Sequence, residues 1–402
     1  MKKKKKWVLP RHKVVKFFLR VPLGIVARLR YHVKLLRFKR QKGRQFLILM
    51  NHQTPFDQFF VSVTFKKPVY FVGTEDIFSL GFLSSALKYL VAPIPIKKQT
   101  ADMAAVMNCL RVARDGGTIA MAPEGNRTYT GRTEYMNPAV APLARKLGLP
   151  IALYRIEGGY GVQPRWADTR RRGKMRAYVS EVIEPEEVKA LTDDELTERI
   201  RQGLYVDDAL ETGVYRHKKK AEYLERAIYV CPYCGLSHFK SHGDVFRCET
   251  CGREVKYTER MELCGVGFDF PFSRVSEWYD YQCRFIADMD ELPAQDEPIY
   301  TDTVRLSEVI VYERKELIAQ TAVASLYSDR IEIAYGEERL SLPFDEVIGI
   351  SALGRKKINI YFGKQVYQLA GDERFCGLKY VNFYYKHKNV LKGEKHGSFL
   401  GL

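Results

Sequence analysis

His52 and Asp57 lie five positions apart in the stretch Asn51-His52-Gln53-Thr54-Pro55-Phe56-Asp57, directly after the apolar run Phe46–Met50. A neutral imidazole can take a proton from a hydroxyl poised to attack a carbonyl, and its ordinary pKa of about 6.5 suits that task near neutrality. A carboxylate on the other ring nitrogen holds the tautomer and stabilises the imidazolium. No serine or cysteine motif of an enzyme nucleophile accompanies the pair, and Cys109 falls inside a helical pattern. The attacking hydroxyl is therefore expected to belong to a substrate.

Two further polar clusters follow apolar strands. Thr118–Met121 leads into Pro123-Glu124-Gly125-Asn126-Arg127, a tight turn that carries a guanidinium. Ile94–Ile96 leads into Lys97-Lys98. Arg grips a phosphate through two parallel hydrogen bonds, and Lys acts on it as a point charge.

The elements around these clusters alternate. Phe46–Met50 reads as a strand buried on both faces, with Thr54 as the cap of a helix that starts at Pro55. Val69–Val72, Ile94–Ile96, Thr118–Met121, Pro150–Ile156 and Lys174–Ile183 read as strands. Ile77–Val91, Ala101–Arg114, Pro138–Lys146 and Asp193–Gly203 read as helices. This order predicts an α/β domain over residues 46–210 with a mostly parallel sheet. The polar clusters all follow strands, where open α/β sheets bind ligands.

In this order and at this spacing, the clusters resemble the motifs of the glycerolipid acyltransferase family that includes 1-acylglycerol-3-phosphate acyltransferases. Asn51–Asp57 matches Asn-His-x4-Asp, and Pro123–Arg127 matches Pro-Glu-Gly-Thr-Arg with Asn126 in place of Thr. Pro93–Lys98 stands at the second motif, with Pro95 for an aromatic and Lys98 for Arg, and Leu149–Leu153 stands at the fourth. The likeness spans residues 15–205. It implies His52 as the base acting on a glycerol hydroxyl and Asp57 as its orienting group. It also implies a substrate-binding set of Asn51, Lys98, Glu124, Gly125, Asn126 and Arg127. The implied acyl donor is acyl-CoA or acyl carrier protein, and the implied acceptor a lysophospholipid.

The charge is distributed unevenly. All 17 charged residues before Asp57, histidines aside, are Lys or Arg within the first 44 positions. Of 65 Lys and Arg in the chain, that leaves 48 against 48 Asp and Glu, so the leader carries the whole formal excess of +17. Val14–Leu29 mixes Phe, Leu, Ile and Val with basic residues, and Tyr31–Phe38 continues the pattern. A basic amphipathic leader over residues 1–45 is expected to lie on an anionic membrane surface. No apolar run reaches the roughly 18–20 residues that span a bilayer, and Lys16, Arg20, Pro22 and Arg28 interrupt the one that resembles a signal peptide. Nothing in the leader reads bases, so nucleic acid is not an expected partner. The expected location is the cytoplasmic face of a membrane, peripheral or monotopic.

Cys231-Pro-Tyr-Cys234 and Cys248-Glu-Thr-Cys251 form two C-x2-C pairs separated by 13 residues. That spacing predicts a four-cysteine structural zinc ribbon over residues 228–258. His238 and His242 read as loop residues, and eight cysteines in 402 residues fit a reducing compartment better than a disulfide framework. Phe272–Phe285 reads as an aromatic amphipathic helix and Asp288–Pro298 as an acidic linker. Seven strands between Val304 and Leu369, closed by a helix at Glu373–Lys386, resemble the pleckstrin-homology-like family, including its lipid-associated GRAM branch. That likeness rests on element order over residues 299–402.

Together these features predict transfer of a fatty acyl group to the sn-2 hydroxyl of 1-acylglycerol-3-phosphate, giving phosphatidic acid. Acylation of another lysophospholipid or of glycerol 3-phosphate, and a non-catalytic lipid-binding membrane adaptor, stay open at this stage.

Overall fold

The structure, a computed structural model, describes residues 6–78, 81–97, 102–133, 135–210, 213–289, 297–311 and 313–394. The chain forms two compact units, Met1–Val162 with Arg172–Gly213, and Gln163–Arg171 with Val214–Leu402.

The first unit begins with α1 (Pro10–Tyr31), β1 (Val33–Leu35), β2 (Leu47–Met50), α2 (Asp57–Thr64), β3 (Val69–Thr74) and α3 (Glu75–Phe78). It continues with α4 (Phe82–Leu90), β4 (Ile94–Ile96), α5 (Met103–Arg114), β5 (Thr118–Met121), α6 (Val140–Leu147) and β6 (Ile151–Glu157). It closes with α7 (Gly159–Val162), β7 (Met175–Ile183), α8 (Pro185–Ala190) and α9 (Asp193–Leu204). Seven strands form one sheet in the order β1-β7-β6-β2-β5-β3-β4. From β6 to β4 every pairing is parallel, β7 runs antiparallel to β6, and β1 is parallel to β7. The sheet is thus mostly parallel. Strand β2 lies at its centre with all four residues buried, which is why its sequence is a continuous apolar run. Leu47, Leu49, Ile119, Ile151 and Leu153 meet Val112, Ala141, Ala144, Ile200 and Leu204 in the core beneath it.

Three local expectations change. Val33–Leu35 is an edge strand, not a continuation of the amphipathic leader, because its Val33 is buried against β7. The helix expected over Ile77–Val91 is two helices, broken at Gly81, whose φ of +61° no continuous helix accommodates. Helix α2 starts at Asp57 and not at Pro55, for a reason that belongs to the site below.

The second unit contains β8 (Val230–Cys231), β9 (Gly235–Leu236), β10 (Phe239–His242), β11 (Val245–Cys248), β12 (Glu254–Tyr257), β13 (Leu263–Gly265) and α10 (Val275–Asp288). Then come β14 (Tyr300–Ile310), β15 (Arg314–Leu326), β16 (Arg330–Tyr335), β17 (Glu338–Pro343), β18 (Val347–Leu353), β19 (Lys357–Phe362), β20 (Gln365–Gly371) and α11 (Gly377–Leu391). The last seven strands form a wholly antiparallel sheet, ordered β17-β16-β15-β14-β20-β19-β18, with α11 packed on β18. Helix α10 begins three residues later than its aromatic pattern suggests. The Glu277 carboxylate accepts from the Ser273 and Arg274 backbone N–H groups (2.7 and 3.1 Å) and ends the preceding loop there.

Helix α1 wears its polarity inside out along its first half. His12 and Lys16 are buried, while Phe17 and Phe18 are 75% and 68% exposed. The Lys16 ammonium donates to Ser62 Oγ (3.1 Å) on α2, and burial pushes its pKa down from 10.5 to about 7, with Arg20 nearby adding to the effect. Unfolded chains therefore bind more protons than folded ones between about pH 7 and 10.5, so stability rises with pH across that window. Replacing Lys16 with Met is expected to raise the melting temperature near pH 6.5, where the charge penalty is full, and to gain less near pH 9.5. Thermal melts of both proteins at the two pH values check this, and an equal or opposite difference contradicts it.

Candidate active site

The parallel strands β6, β2, β5, β3 and β4 send their carboxyl ends to one edge of the sheet. Because β2 and β5 are direct neighbours, Leu49 beside Met121, the loop carrying His52 and the turn carrying Glu124–Arg127 emerge side by side. Residues 72 positions apart in the chain are thereby brought into contact.

His52 Nδ1 lies 2.8 Å from Asp57 Oδ2. Asp57 is fully buried at the first position of α2, and His52 has a quarter of its side chain exposed. The carboxylate also accepts from the Gln53 backbone N–H (2.7 Å), the Thr54 N–H (2.9 and 3.0 Å to its two oxygens) and the Thr54 hydroxyl (2.6 Å). Four donors converge on it, so both of its oxygens act as acceptors. The imidazole consequently presents Nδ1–H to Asp57 and keeps its lone pair on Nε2, the tautomer a base requires. The same bonds explain the late start of α2. Thr54 turns its N–H and hydroxyl toward Asp57, Phe56 N–H reaches Thr54 Oγ1 (3.1 Å), and the chain makes a tight turn where a first helical turn was expected.

The neighbouring turn holds the histidine by its backbone. Buried Glu124 accepts from His52 N–H through Oε1 (2.7 Å), and Thr128 N–H donates to the His52 carbonyl (3.1 Å). Gly125 sits at the exposed apex with φ +72°, its N–H closing the turn on the Ala122 carbonyl (3.0 Å), and a side chain there is strained. Asn126 is buried and Arg127 half-buried in the same turn. Lys98 lies outside the described residues.

Asn51, expected among the substrate-binding residues, lies at the start of the histidine loop. Its side chain is fully buried and exchanges two hydrogen bonds of 2.8 Å with the backbone N–H and carbonyl of Ile156. It ties the start of the histidine loop to β6. Residue-level reading of the sequence missed Gln53 and Asp208, both buried behind this loop. The Thr54-x-x-Asp57 spacing was a local signal for the carboxylate's backbone bonds, whereas Asp208 follows about 150 residues later with none. Cys109 is buried in α5 and its thiol is pushed up to about 11 by burial, so it is no nucleophile for this site.

In the second unit the sulfurs of Cys231, Cys234, Cys248 and Cys251 all lie within 4.8 Å of one another. Cys231 to Cys251 is 3.8 Å and Cys234 to Cys248 is 3.5 Å. A tetrahedron built on zinc–sulfur bonds of about 2.3 Å has edges of about 3.8 Å, so the four cysteines fit such an ion. The cluster does not stand alone. Trp278 of α10 packs edge-on against the stacked pair Phe239 and Phe246 and donates from Nε1 to the Val230 carbonyl (2.8 Å). Gln282 accepts from Tyr229 and Val230 N–H and donates to the Ala227 carbonyl.

Residues 32–155 match the family model described as Acyltransferase, which covers both sheet-edge motifs. No curated protein matches the chain. Among solved structures, the chain is similar to the 1-acyl-sn-glycerophosphate acyltransferase PlsC of Thermotoga maritima. The TM-score is 0.39 at 18% identity, over 48% of this chain and 76% of that one.

Metal analysis of the purified chain is expected to return one zinc per chain, and Cys248→Ser to lose it. Stripping the metal is expected to lower the melting temperature of the second unit by ~10 °C or more, since several kcal/mol of metal-ligand free energy is also folding free energy. Well under one zinc per chain contradicts the assignment.

Proposed function

We propose that the chain transfers a fatty acyl group from an acyl thioester, acyl-CoA or acyl carrier protein, to the sn-2 hydroxyl of 1-acylglycerol-3-phosphate, giving phosphatidic acid. One observation carries the reading: an imidazole whose Nδ1 is held on a buried carboxylate, at the carboxyl edge of a parallel sheet, beside the Glu124–Arg127 turn. The Acyltransferase family match over the same residues supports it.

In this reading His52 Nε2 takes the proton of the acceptor hydroxyl as its oxygen attacks the thioester carbonyl. The oxygen–carbon ester bond forms, the carbon–sulfur bond breaks, and the proton passes from His52 to the departing thiolate. Asp57 holds the ring and balances the imidazolium charge formed on the way. Arg127, with Lys98, takes the acceptor phosphate. A zinc ion at Cys231, Cys234, Cys248 and Cys251 is structural, and the antiparallel sheet closed by α11 supports the pleckstrin-homology-like reading of the C-terminal residues.

The membrane partner we propose is an anionic lipid surface on the cytoplasmic side. Support comes from Phe17, Phe18, Val21, Ile25 and Leu29 on α1 and Phe82 and Tyr89 on α4, all more than half exposed, together with the basic excess of the leader. Arg11 joins the two helices, donating to the Tyr89 carbonyl and lying over its ring. No helix among the described residues is long and apolar enough to cross a membrane.

His52→Ala is expected to lower acyl transfer by about 10³-fold or more while leaving the melting temperature within a few degrees. An assay over 1-acylglycerol-3-phosphate, other lysophospholipids and glycerol 3-phosphate identifies the acceptor. Wild-type rates in His52→Ala contradict the base assignment, and no transfer to any acceptor leaves the adaptor reading. Phe17→Glu with Phe18→Glu is expected to release the protein from vesicles containing phosphatidylserine. These exposed positions are preferable to truncating the leader, because Ala27 and Tyr31 are packed in the core. Unchanged vesicle binding rules out the α1 face.

A further inference from the structure

Behind the histidine loop lies a closed ring of buried hydrogen bonds. Gln53 Oε1 accepts from Tyr160 N–H (3.0 Å) at α7, just past the end of β6. Asp208 accepts from the same N–H through Oδ2 (2.9 Å) and from Gly158 N–H through Oδ1 (2.8 Å). The Asp208 backbone N–H in turn donates to the Gly131 carbonyl (3.1 Å), and Gly131 N–H donates to Thr128 Oγ1 (2.9 Å). Thr128 N–H donates to the His52 carbonyl, which closes the ring on the residue after which it began. Gln53, Tyr160 and Asp208 are each at most 1% exposed. Gly159 presses so close that a Cβ there would stand 2.5 Å from Gln53 Cβ and 3.1 Å from Thr54 Cγ2, so only glycine lets the turn reach the loop.

We propose that Asp208 is a positioning residue for His52. It draws the Gly158–Tyr160 turn against Gln53 and so sets the angle at which the ring leaves the loop. The inference rests on the reading of His52 as the base. Asp208 acts through two backbone N–H groups that its two oxygens share out. An amide in its place offers one acceptor oxygen, so one of those N–H groups is left facing an NH2 group and the turn moves away from Gln53. A displacement of about 1 Å at a reacting group can cost about 10²-fold in rate.

The experiment compares wild type, Asp208→Asn and Gln53→Ala in steady-state kinetics and in NMR titration of 13C-labelled histidine, with the His52 signal identified by its loss in His52→Ala. Both variants are expected to lower kcat by about 10- to 100-fold with KM for donor and acceptor changed less than about threefold. Both are also expected to move the His52 ring signal and its titration midpoint, with Asp208→Glu recovering part of each. A kcat within about twofold of wild type, or a fall in kcat with the His52 signal unmoved, overturns the assignment. Should Asp208→Asn not fold, Gln53→Ala decides by the same two readouts. A wild-type protein that transfers no acyl group defeats the proposed reaction, whereas the titration still decides whether Asp208 sets His52.

Discussion

The Asp57 carboxylate is the constraint on which the candidate site of the first unit depends. A fully buried carboxylate costs several kcal/mol unless donors surround it. Here every donor comes from within five residues: two backbone N–H groups, the Thr54 hydroxyl and the His52 ring. The same bonds that make the buried charge tolerable fix the tautomer of His52, bend the chain into a tight turn and set the first residue of α2. Stability and chemistry are served by one group, which is why no substitute of the same size is neutral: an amide offers one acceptor where two are used.

The loop so formed is held on three sides by backbone. Asn51 locks its start to Ile156, Glu124 and Thr128 grip His52 by its N–H and carbonyl, and Gln53 meets the Tyr160 turn. None of these bonds involves the imidazole, whose Nδ1 is held on Asp57 while the loop carrying it is braced by neighbours. In the reaction proposed above, this division suits a base that stays partly exposed: exposure admits a hydroxyl, and the buried brace steadies the loop that carries the ring.

Elsewhere, helix α1 buries Lys16 beside Ser62 and turns phenylalanines outward, the arrangement on which the proposed lipid contact rests. In the second unit, the four-cysteine cluster is too small to bury a core of its own. It borrows Trp278 and Gln282 from α10, and Tyr229 is reached by Asn382 of α11 and by Tyr300 of β14. The cysteine module is thus packed against other elements of the second unit.

The motifs themselves were legible in the chain because each is local. His52 and Asp57 lie within one turn, the two C-x2-C pairs lie 13 residues apart, and the buried run of β2 announces a central parallel strand. Strand alternation also made the mostly parallel sheet and the seven C-terminal strands readable from residue periodicity, while the antiparallel order of those seven came from the structure. What the sequence could not show is who faces whom. That Glu124 would hold the His52 backbone, that Asn51 would spend both amide atoms on Ile156, and that Asp208 would reach the histidine loop through Tyr160 all depend on β6, β2 and β5 lying side by side. Residue type and spacing decide which groups can do chemistry, because proton affinity and short-range reach are local properties. Strand order decides which of them are held still, because hydrogen bonds between segments 70 to 150 residues apart exist only once the sheet has brought their ends to one edge.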